Sequence, residues 1–215
     1  MLITSELRWF NRGKIPPEIN DWFNADVFGE HYQLPEERED IYLYIPECEY
    51  LGIKLRQQRL EIKLRKAELD TLSLGDHIEG KVEKWVKWSC EDATAESLIP
   101  ADALKASPWV SVKKVRSQRK YQVSAEASVT SVPVDKAINE GCNVEITQLD
   151  IKDNLWWSLA LEAFGEDANL MYNLKTVAVW LFQTYPNFKL QLQNSYAYPK
   201  WLAFQPLNIA SFFDF

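Results

Sequence analysis

Glycine is scarce in this chain, seven residues in 215, and none of them falls in a G-x-x-x-x-G-K-[ST] or G-x-G-x-x-G pattern. The glycine-rich loops that usually cradle nucleotide phosphates are therefore excluded. Histidine occurs only at His31 and His77, far apart and outside any zinc-ligand spacing, so both read as loop or surface residues. Cys48, Cys90 and Cys142 are odd in number and widely separated, which fits buried or incidental thiols in a reducing cytoplasm, the expected location. Ser158 and Ser195 lack a companion His–Asp pattern, which removes a hydrolase triad. No apolar stretch is long enough to span a bilayer. The opening MLITSELRWF has no basic segment followed by an apolar run, so no signal peptide is expected. Positive charge is also in deficit: 24 Lys and Arg stand against 31 Asp and Glu, a net charge of -7. That balance argues against nucleic acid or an anionic membrane as partner, though not against a local basic pocket. "SQRKYQ" (117–122) reads as a solvated turn, and Trp156-Trp157 as core plus a partly exposed neighbour.

What the chain does have is hydrophobic content of 47%, charged content of 26%, and nine Trp, nine Tyr and ten Phe. It should fold as one domain, residues 1–215, around an aromatic core. Strict alternation of apolar and charged residues marks strands. The clearest case is "LGIKLRQQRLEIKLR" (51–65), in which Leu51, Ile53 and Leu55 oppose Lys54 and Arg56. Leu60, Ile62 and Leu64 then oppose Glu61, Lys63 and Arg65, with a tight hairpin at Gln57-Gln58. Further strands are expected at 2–10, 41–45, 78–89, 109–116, 120–127, 143–149 and 155–164. Pro16-Pro17 opens a short helix through Phe23, 24–40 reads as an irregular acidic loop, and 91–108 as a polar loop with a helical turn. The cluster at 166–169 starts a helix over LMYNLKTVAVWLFQTY. The tail from Asn194 has no period.

Short connections make the strands antiparallel and the class α+β. Two arrangements suit the charged faces. A sandwich would turn them to water. A closed or nearly closed antiparallel β-barrel of about eight strands would turn them inward around a wet tunnel, with helices packed outside. Inward Lys and Arg then require an anion among them, and inward Glu requires cations. Phosphate oxygens suit the first set and Mg²⁺ or Mn²⁺ the second.

Thr4-Ser5-Glu6-Leu7-Arg8, "GIKLRQQRLEIKLR", "WVKWS", "VKKVR", "LALEAFG" and "SYAYPKWL", in this order, resemble the motifs of the CYTH superfamily of triphosphate tunnel proteins. The resemblance runs from the first strand to the tail. It implies a small phosphorylated ligand (a triphosphate, polyphosphate or nucleotide) held by Arg8, Lys54, Arg56, Lys63, Arg65, Lys87, Lys114 and Arg116. It also implies Mg²⁺ or Mn²⁺ on Glu6, Glu145 and Glu162, with Glu61 and Glu83 as alternates or as partners of the basic groups. Thr4 stands where the family has its first signature Glu, Arg8 replaces a lysine, and Trp85 narrows the tunnel. The resemblance therefore leaves two functions open. One is metal-dependent triphosphate hydrolysis; the other is a non-catalytic module that binds phosphate compounds or nucleotides.

Overall fold

In a computed structural model of the chain, residues 1–29, 34–91, 99–105 and 108–205 are described. Nine strands form one antiparallel sheet: β1 (Leu2–Arg12), β2 (Glu36–Leu43), β3 (Leu51–Arg56), β4 (Arg59–Leu74), β5 (Ile78–Glu91), β6 (Trp109–Val123), β7 (Val129–Val132), β8 (Gly141–Ile151) and β9 (Asn154–Phe164). Their order is β2-β3-β4-β5-β1-β9-β8-β6-β7, and β2 also pairs with β6 from Glu36↔Arg116 to Leu43↔Trp109. That last ladder closes eight strands into a barrel and leaves β7 as an appendage on β6. The helices are α1 (Pro17–Asn24), α2 (Ala101–Lys105), α3 (Leu170–Phe182) and α4 (Tyr198–Ala203). None among the described residues is long and apolar enough to cross a membrane.

Alternation sorts the strand residues onto two faces. Outside, Leu7 and Trp9 of β1, Val144 and Ile146 of β8, and Leu159 and Leu161 of β9 are buried together under α1 and α3. The face of α3 that meets them is Leu170, Leu174, Val177, Ala178 and Leu181, the spacing of an apolar helical stripe. Inside, the barrel is apolar at one end: Phe10, Tyr42, Val112, Leu149 and Trp156 surround Trp201 and Leu202 of α4. Phe10 stacks on Trp201 with centroids 5.1 Å apart. Helix α4 thus caps the barrel from within, where the expectation put helices outside only. The chain reaches that position by wedging between β1 and β5 where their ladder ends at Leu7↔Val82. There Ser195 bridges Trp9, and the Tyr196 N–H donates to the Arg8 carbonyl at 3.1 Å.

Several boundaries differ from the expectation. Gln57 and Gln58 do turn the β3–β4 hairpin, both at positive φ (45° and 66°) as a two-residue primed turn requires. Strand β4, however, runs on to Leu74, past irregularities between Arg65 and Ala67 and between Glu68 and Asp70 that break the alternation. The acidic loop at 24–40 gives way to β2 from Glu36. Part of that loop, with His31, lies outside the described residues, as does half of 91–108. Trp156 and Trp157 are both buried.

The solvated turn at 117–122 is also corrected. It is the middle of β6, and Arg119 is 2% exposed. Its guanidinium donates to three carbonyls around α1: Phe23 at 2.9 Å, Gly29 at 2.8 Å and Ala25 at 3.2 Å. Phe23 lies in the last turn of α1, where carbonyls lack intrahelical partners, and Ala25 and Gly29 follow it; Ala25 also accepts from the Phe28 N–H at 3.2 Å. Arg119 therefore fastens α1 to the barrel wall. Arg119→Met should destabilise the fold by about 2 kcal/mol or more, a Tm loss of about 4–8 °C for a chain of this size. The same change at the exposed neighbour Lys113 should stay within about 0.5 kcal/mol. Equal melting temperatures for the two variants would contradict the clamp.

Candidate functional site

The inward side chains beyond the apolar cap line a cavity of about 140 Å³. Seven of the eight expected phosphate donors line it: Arg8, Lys54, Arg56, Lys63, Lys87, Lys114 and Arg116. So do all three expected metal ligands, Glu6, Glu145 and Glu162, together with Glu61 and Trp85. Arg65 does not. It is drawn to Glu83 at 2.6 Å and Glu68 at 3.0 Å, beside the Trp85 Nε1, which also donates to Glu83 at 3.1 Å.

Small residues on β9 make room for the chemistry. Ser158 and Ala160 are buried opposite β1, and Arg8 fills the space above them. It donates to Ser158 Oγ at 3.3 Å and pairs with Glu145 at 2.8 Å. Arg116 reaches the other oxygen of Glu145 at 3.4 Å. Burial resists ionisation of Glu145, but Arg8 and Arg116 hold its carboxyl well below the usual range.

The deepest charge is one that the sequence reading missed. Asp40, fully buried, is met by Lys114 at 2.8 Å, Arg56 at 3.0 Å, Arg38 at 3.4 Å and Lys54 at 3.5 Å. Burial raises its pKa, yet Lys114, Lys54 and Arg56 outweigh burial and keep it ionised far below the ordinary value. Arg38 lines the cavity as well. Glu36, Arg38, Asp40 and Tyr42 share one face of β2, a period-two signal that continues the IYLYI strand backwards. Because both faces of this stretch are polar, it looked like loop. Tyr198 of α4 was missed for a different reason: no strand periodicity brings it there. Its ring stacks on Tyr42 at 5.3 Å and lies 4.0 Å from the Lys114 ammonium and 4.9 Å from the Arg8 guanidinium.

Counting only lining residues, eight cations face four glutamates; adding Asp40 and Glu36, which pairs with Arg38 at 2.8 Å and Arg116 at 2.7 Å, still leaves a surplus of two positive charges in a chain whose net charge is -7. The surplus has visible consequences. Lys87 makes no ion pair among the described residues. The buried Nε atoms of Arg38 and Arg116 lack hydrogen-bond partners, as does Asn143 Oδ1. Lys54 is pulled down to about 7 by burial and then by Arg56 and Lys114, against Asp40 and Glu61. Lys114 is likewise lowered to about 7 by burial, with Arg38 and Arg56 opposing the help from Asp40. Glu61, paired with Lys54 at 3.0 Å, goes the other way, to about 2: burial is outweighed by Lys54, Arg56 and Lys87.

Glu6 and Glu162 face each other across β1 and β9, and Glu6 also faces Glu83 on β5. Like charges directly opposite repel. Here Lys63 Nζ lies between the first two, touching Glu6 and 3.3 Å from Glu162. Thr4 Oγ1 adds a hydrogen bond to Glu6 at 2.7 Å. Burial and the neighbouring Glu162 push Glu6 up, while Lys63 and Lys87 bring the more exposed Glu162 down. Among the described residues, no three of His, Cys, Asp and Glu come together as metal ligands. Glu6 and Glu162 are engaged by Lys63 and Glu145 by two arginines, so this donor set does not fit a resident divalent ion.

The sequence matches no protein-family profile, and no curated protein matches it. One solved structure that resembles it is that of the PH1819 protein from Pyrococcus horikoshii OT3. The TM-score is 0.41 and the identity 14%, over 83% of this chain and 88% of that one. A likeness that weak assigns no function.

The two lowered lysines fix a sign. Their folded values, about 7, lie below the ordinary 10.5, so between these limits the unfolded chain holds more protons than the folded one. Stability must then rise with pH across that window. Urea unfolding from pH 7 to 9.5 should show an increasing free energy, flattened in Lys54→Met/Lys114→Met. A flat wild-type profile would mean that the cavity carries no excess of charge.

Proposed function

We propose that the protein is a CYTH-like triphosphate tunnel protein, a divergent one, that binds a triphosphate or polyphosphate compound inside its barrel. The observation that carries this reading is the enclosed surplus of cationic donors, with Lys87 outside any ion pair and the Arg116 Nε without a hydrogen-bond partner among the described residues. Buried donors without partners are costly, and an enclosed set of like charges needs a counter-charge. A triphosphate carries about one negative charge per phosphate and about a second on its terminal group above pH 6. It would thus bring about four negative charges to a cavity whose lining carries a cationic surplus. Arg116, Arg38 and Arg8 would grip oxygens as forked donors, and Lys87, Lys54 and Lys114 as point charges. In such a chamber catalysis would come from positioning and charge stabilisation, so the hydrolytic version depends on what polarises the terminal phosphate.

Tripolyphosphate at about a hundred times its Kd should raise the unfolding free energy by about 2.7 kcal/mol. Lys87→Met removes a cation that forms no ion pair among the described residues, so it should change the unliganded stability less than loss of a paired cation such as Lys63. The same variant should weaken binding about tenfold or more, the worth of one charge-assisted hydrogen bond. A tight wild-type complex unaffected by Lys87→Met would place the ligand elsewhere. Binding should also draw protons onto Lys54 and Lys114. Calorimetry at pH 8 in buffers of different ionisation enthalpy should report net proton uptake, and zero uptake would detach these lysines from the ligand.

A further inference from the structure

We propose that the tunnel takes its phosphate ligand as the metal-free anion, with the Lys63 ammonium filling the place between Glu6 and Glu162 that a divalent ion would need. This rests on the triphosphate reading above. Two observations point to it independently.

The first is register. Glu6 and Glu162 are direct neighbours across β1 and β9, and Lys63 comes from β4, two strands away, to lie on both. On its own ladder Lys63 faces Lys87, whose charge drives it toward the carboxylates. It is a covalently tethered cation, so a free ion must compete with a charge already held in place, and displacing it would press Lys63 back against Lys87.

The second is the remaining donor set. Thr4 offers Glu6 a hydroxyl in place of a carboxylate, and Glu145 has both oxygens occupied by Arg8 and Arg116.

The wild-type full-length chain tests this directly. Tripolyphosphate should bind at least as tightly in EDTA as in excess Mg²⁺, because Mg²⁺ only withdraws free ligand. Mn²⁺ titrated into the ligand-free protein should keep the EPR signal of the hydrated ion. In Lys63→Met the two glutamates lose their cation, so Mn²⁺ should now bind and quench that signal. If this variant fails to fold, the two wild-type measurements still decide. Binding weakened about tenfold or more by EDTA, equivalent to 1.4 kcal/mol, or Mn²⁺ uptake by the wild type, overturns the inference and leaves the triphosphate reading standing. Absence of tripolyphosphate binding under both conditions overturns both.

Discussion

The ladder between β2 and β6 is the constraint on which the rest depends. Without it, the inward faces of eight strands would be one side of an open sheet, and their lysines and arginines would be solvated. With it, charges from every part of the wall share one enclosed space. The closing strand also brings Asp40, the carboxylate that gathers four of these cations. Closure and neutralisation are therefore coupled: the strand that completes the barrel supplies the anion that makes its deepest corner tolerable.

Charge on the wall is arranged in neighbouring blocks of one sign. Glu162, Glu6 and Glu83 form a row over three adjacent strands, and Lys63 and Lys87 form another. Rows of one sign are unfavourable within a sheet and are offset here by opposite charges from strands one or two places along the wall. The barrel interior is thus held by long-range pairs such as Arg8–Glu145 and Lys63–Glu162, separated in sequence by 137 and 99 residues. These contacts fix the wall yet leave the cations in excess.

Much of this was legible in the sequence. Alternation revealed β1, β3, β5, β8 and β9, and the charged positions on those strands are the ones that meet in the cavity. What escaped has physical reasons. In β2 the inward face is as polar as the outward one, so period two carried no hydropathy contrast. In β4 the irregularities at residues 65–70 shift the phase. Arg119 looked solvated because its acceptors are carbonyls from a segment some ninety residues earlier, and no local pattern encodes such a partner. Arg65 was assigned to the cavity with its neighbours on β4, but the competing carboxylates Glu83 and Glu68 lie nearer.

The aromatic cap built by α4 has a consequence for traffic. Exposure falls from 28% at Lys63 and 27% at Glu162 to 1% at Lys114 and zero at Asp40, the side chains beside the cap. With α4 closing that end, anything that enters on the side of Lys63 and Glu162 meets the exposed pair first and Asp40 last.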